Sequence, residues 1–591
     1  SHTRLYFAAN KLFRSDDRGN SWKEISGDLS RQIDRNKLPV MGKVWGIDAV
    51  AKNASTSFFG NIVALSESPV KEGLIYAGTD DGLINVTEDA GGSWKKIEKF
   101  PGVPEMTYVS CILTSQHNQN TVYASFDNHK NADFHPYILK SDDGGKSWKP
   151  IKGNLPERGT VYTIAEDHVN PDLLFAGTEF GVFFTIDGGQ KWIQLKGGLP
   201  VIAVKDIAIQ KRENDLVLAT FGRGFYVLDD YTPLRHLKGE TLSKEADIFP
   251  VKEGLMYIQS RPLGNKSKGF LGESYYLGDN PPLGATFTIY LKDAIKTQKQ
   301  VREDKDKEAL KNGETSEYPT AGELRNEERE ESPYLLLTVS DEAGNVVNKL
   351  RAPAQQGLQR VTWDFRYPAT TPIKKVETED GDDPFYEADM GALALPGKYS
   401  VTLSKVVNGS VSVLSGPVTF STATLNSSLL SKEDRLALSE FQQKLGELRR
   451  AMRGTIESAN EVSGQIKLIK RALKNSPKAN GTMLDEVNSL DSELYDIIVK
   501  LTGDRILQKR NENTPPSLSD RVEGIVYDQW QSSQAPTQTQ KDQMKIASEE
   551  FAPLLARFRL LVEDNLKKLE TSLEVSGTPW TPGRLPSWQN H

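Results

Sequence analysis

The stretch SDDGGKSW, residues 141–148, decides how this chain is read, because the chain repeats it. Variants occur as SDDRGNSW at 15–22, TEDAGGSW at 87–94 and TIDGGQKW at 185–192. The surroundings repeat too. An apolar strand-like run is followed by a Gly, Asp or Asn turn, a second run, the acidic phrase, then Trp and a short strand-like run. LIYAGTDDGLINVTEDAGGSWKKI (74–97) and LLFAGTEFGVFFTIDGGQKWIQL (173–195) show the pattern clearly. Short strands at this interval predict the blades of a β-propeller, each a small antiparallel sheet. A further unit, VKDIAIQKRENDLVLATFGRGFYVLDD (204–230), lacks the phrase and reads as three strands whose fourth comes from elsewhere. That makes about five blades. Ser1 stands partway through a blade, so the expectation is a partial propeller, completed by upstream blades of a longer precursor or by a second chain.

The phrase resembles the Asp-box, or bacterial neuraminidase (BNR) repeat: Ser/Thr, any, Asp, any, Gly, any, Ser/Thr, Trp. The copies hold Asp17, Gly19 and Trp22; Asp89, Gly91 and Trp94; Asp143, Gly145 and Trp148; and Asp187, Gly189 and Trp192. Lys191 replaces the usual hydroxyl in the last. The resemblance implies that each Asp accepts hydrogen bonds from N–H groups of its own turn. It gives the Gly a permissive backbone angle and packs the Trp between sheets. These aspartates read as structural staples, since four equivalent positions around a ring cannot converge on one substrate.

Composition narrows the rest. A chain of 591 residues exceeds one core and predicts two to four domains. Apolar residues make up 37% and charged residues 26%, the balance of a globular protein. A net charge of −7 argues against nucleic acid as the main partner, since phosphate binding needs a basic field. No apolar run has the length of a transmembrane helix, and SHTRLYFAAN shows no signal-peptide pattern. The single cysteine, Cys111, excludes an intramolecular disulfide and reads as a buried small side chain. The histidines (His2, His117, His129, His135, His168, His236 and His591) lack zinc spacing. No cofactor and no metal is expected.

The propeller blades are placed at 1–232, and the pattern then changes. Residues 233–427 read as a linker and an immunoglobulin-like β-sandwich without a Cys pair, built on runs such as ATFTIYLKD (285–293) and YLLLTVSDEAGNVVNKLRAP (334–353). A highly charged segment, 294–333, reads as a mobile insertion between strands, and the acidic stretch ETEDGDDPFYEAD (377–389) as a solvated loop. Residues 428–576 take a helical period. Leu438, Phe441, Leu445, Leu448, Met452, Ile456, Ala459, Val462, Ile466, Ile469 and Leu473 step by threes and fours, capped by Ser431. Further helices are expected at about 482–510 and 537–574, together an antiparallel bundle. The Pro- and Trp-rich tail, 577–591, should dock across another domain. The fold class is thus mainly β with an α C-terminal region.

This order, with the runs quoted above and DLVLATFGRGFYVLDD, resembles a family of large bacterial proteins with a sortilin-like Asp-box propeller, often labelled glycosyl hydrolases. The resemblance implies export to the periplasm, the outer membrane or the outside, in an envelope complex. Related groups bind peptides and proteins on a propeller or cleave xyloglucan with paired aspartates. The first reading is therefore a binding or scaffold protein for peptide, protein or glycan. The alternative, a glycoside hydrolase, needs two carboxylates across a cleft, one with a raised pKa. The candidates off the box are Asp80, Asp81, Asp127, Asp133 and Glu179, all read as turn acids at equivalent blade positions. Trp45, Tyr108 and Phe134 could stack on sugar or pack in a core. No Ser/His/Asp set or metal motif supports a peptidase.

Overall fold

A computed structural model describes residues 3–50, 52, 59–259, 278–373, 390–425 and 430–588. The acidic stretch 377–389, His2 and His591 lie outside the described residues. The chain divides into two compact units, Ser1–Ser243 and Lys244–His591.

The first unit is a row of antiparallel sheets, as the repeat predicts. The first sheet has three strands, β1 (Leu5–Ala8), β2 (Leu12–Ser15) and β3 (Lys23–Glu24). Three four-stranded sheets follow. They are β4 (Ile62–Glu67) to β7 (Lys95–Ile97) through β5 (Ile75–Thr79) and β6 (Ile84–Thr87); β8 (Tyr108–Thr114) to β11 (Lys149–Pro150) through β9 (Val122–Asp127) and β10 (Tyr137–Ser141); and β12 (Val161–Glu166) to β15 (Ile193–Leu195) through β13 (Leu174–Thr178) and β14 (Gly181–Thr185). The last sheet has the three strands read from sequence, β16 (Val204–Gln210), β17 (Asp215–Thr220) and β18 (Phe225–Leu228). The unit ends in a short helix, α1 (Gly239–Ser243).

Neighbouring sheets share their cores, which is what makes them propeller blades. Leu12, Ile25 and Leu29 of the first sheet pack with Ile62, Ile75 and Ala77 of the second. Tyr76, Ile84 and Val86 pack with Val109, Ile112 and Val122 of the third. Tyr123 and Ile138 pack with Val161, Leu174, Phe183 and Trp192 of the fourth. The middle strands β5, β13 and β14 are buried along their whole length, covered on both faces. Cys111, expected to be buried, is only partly covered in β8, and burial pushes its thiol pKa up.

The second unit opens with a two-sheet sandwich. One sheet orders β19 (Ala246–Ile248), β21 (Ala285–Leu291) and β24 (Gly357–Trp363). The other orders β20 (Gly254–Met256), β26 (Ser410–Thr424), β25 (Lys398–Val407), β22 (Tyr334–Asp341) and β23 (Val346–Pro353). Phe287, Leu337, Trp363, Tyr399 and Phe420 fill the space between them. The charged insertion differs from its expectation. It carries two helices, α2 (Gln298–Asn312) and α3 (Ala321–Arg329), with no buried residue. Thr297 with Gln300 and Thr320 with Glu323 form capping boxes, and Lys- and Glu-rich sequence propagates well once its ends are satisfied. Arg302 of α2 also pairs with Glu327 of α3 at 2.7 Å.

The bundle follows the helical stripe. In α4 (Lys432–Lys474), Leu438, Leu445, Met452, Ala459, Val462, Ile466, Ile469 and Leu473 are buried. α5 (Gly481–Thr502) ends at Gly503, short of the boundary read near 510, and a separate turn α6 (Arg505–Gln508) is capped by Asp504. One helix was not anticipated: α7 (Leu518–Trp530), begun by the Ser517–Asp520 capping box. α8 (Gln538–Arg559) runs through a π-helical stretch, Leu560–Leu566, into α9 (Lys567–Val575). Among the described residues no helix is long and apolar enough to cross a membrane. The tail lies back on its own bundle. Arg584 bonds Glu574 at 3.1 Å, and Trp580 and Trp588 stay exposed.

Candidate functional site

The four boxes share one hydrogen-bond pattern. Asp17 accepts from the Ser15 and Ser21 hydroxyls (2.7 Å each) and from the Ser21 N–H (2.9 Å). Asp89 does so from Thr87 and Ser93, and Asp143 from Ser141 and Ser147. Asp187 accepts the N–H groups of Gln190 and Lys191, so the missing hydroxyl at 191 removes one donor only. These donors hold Asp17, Asp89 and Asp143 down to a pKa of about 2, the Ser21 hydroxyl leading for Asp17, the Thr87 hydroxyl for Asp89 and the Ser147 hydroxyl for Asp143. A depressed folded pKa adds stability above the ordinary carboxylate range and loses it as pH falls through the folded pKa. The melting temperature should therefore fall between about pH 4 and pH 2, and Asp89→Asn should flatten part of that slope in thermal scans.

Two of the box tryptophans hydrogen-bond across blades. Trp94 Nε1–H donates to the Ile25 carbonyl of the preceding sheet at 3.0 Å, and Trp192 Nε1–H to the Ile151 carbonyl at 2.9 Å. Trp148 donates to Gly145 of its own turn, and Trp22 is exposed.

The acids off the box do not all share one place. Register aligns Asp80, Asp127 and Glu179, each directly after the position of Thr79, Phe126 and Thr178 at the end of a second strand. Phe221 follows Thr220 in the last sheet. Asp81 points elsewhere: it is fully buried and accepts the Arg31 N–H at 2.7 Å. Asp133 also departs from the expected equivalence. It lies within the 128–136 loop, where Asn128, His135 and Tyr137 donate to it at 2.8, 2.6 and 2.7 Å.

A feature absent from the sequence reading sits beside the aligned acids. Each innermost strand has a register shift at the same place: between Ile62 and Ala64, Val109 and Cys111, Val161 and Thr163, and Val204 and Asp206. Such bulges re-aim side chains. The bulged residues are Val63, Ser110, Tyr162 and Lys205. The Tyr162 hydroxyl donates to Glu179, and the Lys205 ammonium stands 3.2 Å from the Tyr162 ring centroid and 5.8 Å from that of Phe221. Burial lowers the Lys205 pKa, against the pull of Glu179 and Asp127. Lys130 lies 5.6 Å from the Tyr108 ring, whose pKa is raised by burial and then by Asp80 and Asp127. Asp127 pairs with His129 Nδ1 at 2.7 Å. Asp80 accepts the Gly60 and Asn61 N–H groups at 2.8 Å each, yet burial carries its pKa upward. Trp45 and Phe134 are exposed outside this group, Phe134 beside Arg158. Among the described residues no group of three His, Cys, Asp or Glu could hold a metal ion.

No family model matches the chain, and no curated protein matches it. Solved structures similar to it include an ancestral GH74 enzyme, at 14% identity over 71% of this chain and 44% of that one, with a TM-score of 0.29. YCF48 from Cyanidioschyzon merolae matches at 12% identity over 38% of this chain and 62% of its own, with a TM-score of 0.27. The β-propeller domain of Cps50 (Swd1) from Myceliophteria thermophila matches at 12% over 40% and 66%, TM-score 0.28. The chain thus spans less than half of the GH74 enzyme and less than two thirds of the other two. The propeller itself is read from the sheets described above.

Proposed function

We propose that this is an exported bacterial binding or scaffold protein, which holds a peptide, protein or glycan at the bulged end of its innermost strands. One observation carries the reading. Every candidate carboxylate is already engaged by donors of its own chain, while Tyr108, Tyr162, Phe221, Lys130 and Lys205 supply aromatic and cationic surface between them. Such a mixed surface recognises ligands by stacking and by charge without needing a proton shuttle. A family resemblance supports export, and an envelope partner remains part of the same proposal.

Glycoside hydrolysis is the second reading, and one observation favours it. Burial raises the pKa of Asp80, as a general acid needs, and Asp80 and Asp127 both raise that of Tyr108, so a second carboxylate shares the same tyrosine.

Binding to mixed peptide and glycan arrays tests the proposal. The wild-type chain should retain a ligand class, and Lys205→Ala or Tyr162→Ala should weaken it roughly tenfold or more. Retention untouched by both substitutions would place the ligand elsewhere.

A further inference from the structure

The sandwich and the bundle belong to one compact unit, and a cavity of about 360 Å³ lies in the seam between them. Three pieces of chain build it. The first is the parallel pair of β20 with the end of β26, where Met256 stands opposite Thr424 and the Leu425 N–H donates to the Met256 carbonyl at 2.9 Å. The second is the segment Leu393–Pro396, held to the sandwich by the Ala394 N–H, which donates to the Phe365 carbonyl at 2.7 Å. The third is the opening of α4. Arg435, Leu438, Ser439 and Gln442 recur by threes and fours, so they share one helix face, and that face lines the cavity.

Hydrogen bonds across the seam fix these walls. The Trp530 indole N–H donates to the Met390 carbonyl at 2.7 Å. Arg366 donates to the Gly391 carbonyl at 2.9 Å and to the Trp530 carbonyl at 3.2 Å, and Gln442 to the Gln529 carbonyl at 3.1 Å. A cavity framed in this way is preorganised, which lowers the ordering cost of filling it. Its wall is largely apolar. Met256, Ala394 and Leu438 are buried there, while Tyr257, Leu425 and Leu436 stand exposed around it.

Charge is placed on one side only. A second cavity, of about 440 Å³, adjoins the first where Leu395, Pro396, Thr424 and Arg435 line both, and Lys432 lines the second. Among the described residues that line the two, none is Asp or Glu. The Arg435 guanidinium is held in place, since Nε and Nη2 donate to the Leu430 carbonyl at 3.2 and 3.1 Å. Two cations with no acid beside them, in a chain of net charge −7, mark a place for an anion.

We propose that this seam binds a single-tailed apolar carboxylate of the fatty-acid type. The tail fills the cavity against Met256, Ala394 and Leu438, and the carboxylate meets Arg435 and Lys432. The volume lies near the lower end of the range of small-molecule sites, about 300–1,000 Å³, which suits one tail. The site belongs to the second unit and does not rest on the reading of the propeller.

Calorimetric titration of the full chain with decanoate, kept below its micellar concentration, tests this. One saturable site is expected. Decan-1-ol brings the tail without the charge and should bind about tenfold more weakly. Arg435→Gln should weaken decanoate by about tenfold and leave decan-1-ol unchanged. Lys432→Gln should weaken decanoate in the same direction, and because Lys432 is exposed its replacement reads the charge without disturbing the fold. Bound decanoate should also slow hydrogen exchange in β20 and the first turns of α4. Equal affinity for acid and alcohol, decanoate binding untouched by both substitutions, protection confined to other elements, or no saturable binding at all would each overturn the proposal.

Discussion

Arg235→Ala should destabilise the propeller unit by about 3–5 kcal/mol, the cost of leaving a buried carboxylate without its partner. Asp167 lies in the connection between β12 and β13 and is 0% exposed. Arg235, just after the last sheet, meets it with Nε at 2.8 Å and Nη2 at 2.7 Å, and the Tyr231 hydroxyl donates at 2.6 Å. Burial alone would raise the Asp167 pKa, but the Arg235 and Tyr231 hydrogen bonds outweigh it and hold the group below its ordinary value. The wild-type contribution is therefore present above the ordinary carboxylate range and disappears as pH falls through the folded pKa. In Arg235→Ala the sign reverses, because burial then dominates and the folded pKa rises. The deficit should be full at pH 7 and should shrink toward pH 4 as Asp167 takes up its proton. Arg235→Lys keeps the charge but loses the two-pronged geometry, so it should fall between. Urea unfolding followed by hydrogen exchange in β12 and β13 measures all three. A deficit independent of pH would remove the ion pair from the account.

Gly91→Ala should cost about 3 kcal/mol, combining backbone strain with overpacking, while Gly19→Ala should cost only about 1 kcal/mol. Both glycines have positive φ, +102° and +91°. They differ in what lies over them. A methyl group on Gly91 would stand 2.3 Å from the Ile25 carbonyl oxygen of the preceding sheet, the same oxygen that accepts the Trp94 indole N–H. A methyl group on Gly19 would meet nothing closer than Leu5 at 3.6 Å. The comparison separates the strain inside a box turn from the contact between blades. Equal losses in thermal or urea unfolding would mean that the box glycine serves its own turn alone.

The propeller was legible because each box carries its instructions locally: an acid, a positive-φ residue and an indole within eight residues. The long stripe of α4 was legible for the same reason, since its period persists over many turns. Helix α7 escaped because it is short, stands between a Pro pair and a polar stretch, and shows itself chiefly by Ser517 and Asp520. The charged insertion looked structureless because it has no apolar stripe, yet its caps suffice to start helices.

The site was half legible. Asp80, Asp127 and Glu179 were named from turn chemistry, but Asp81 and Asp133 were grouped with them because turn composition does not show which way a carboxylate points. Tyr162 and Lys205 are not marked in the sequence, since a bulge is a property of register between two strands and has no residue signature of its own. Superposing the innermost strands IVALS (62–66), VSCIL (109–113), VYTIA (161–165) and VKDIA (204–208) brings these positions together.

The most direct test of the central claim incubates the chain with a panel of β-glucans and related polysaccharides and reads both retention and products by mass spectrometry. The account predicts no released oligosaccharide, with any retained glycan lost on Lys205→Ala. Oligosaccharides released by the wild-type chain but not by Asp80→Asn would contradict it and make the raised carboxyl of Asp80 a catalytic acid.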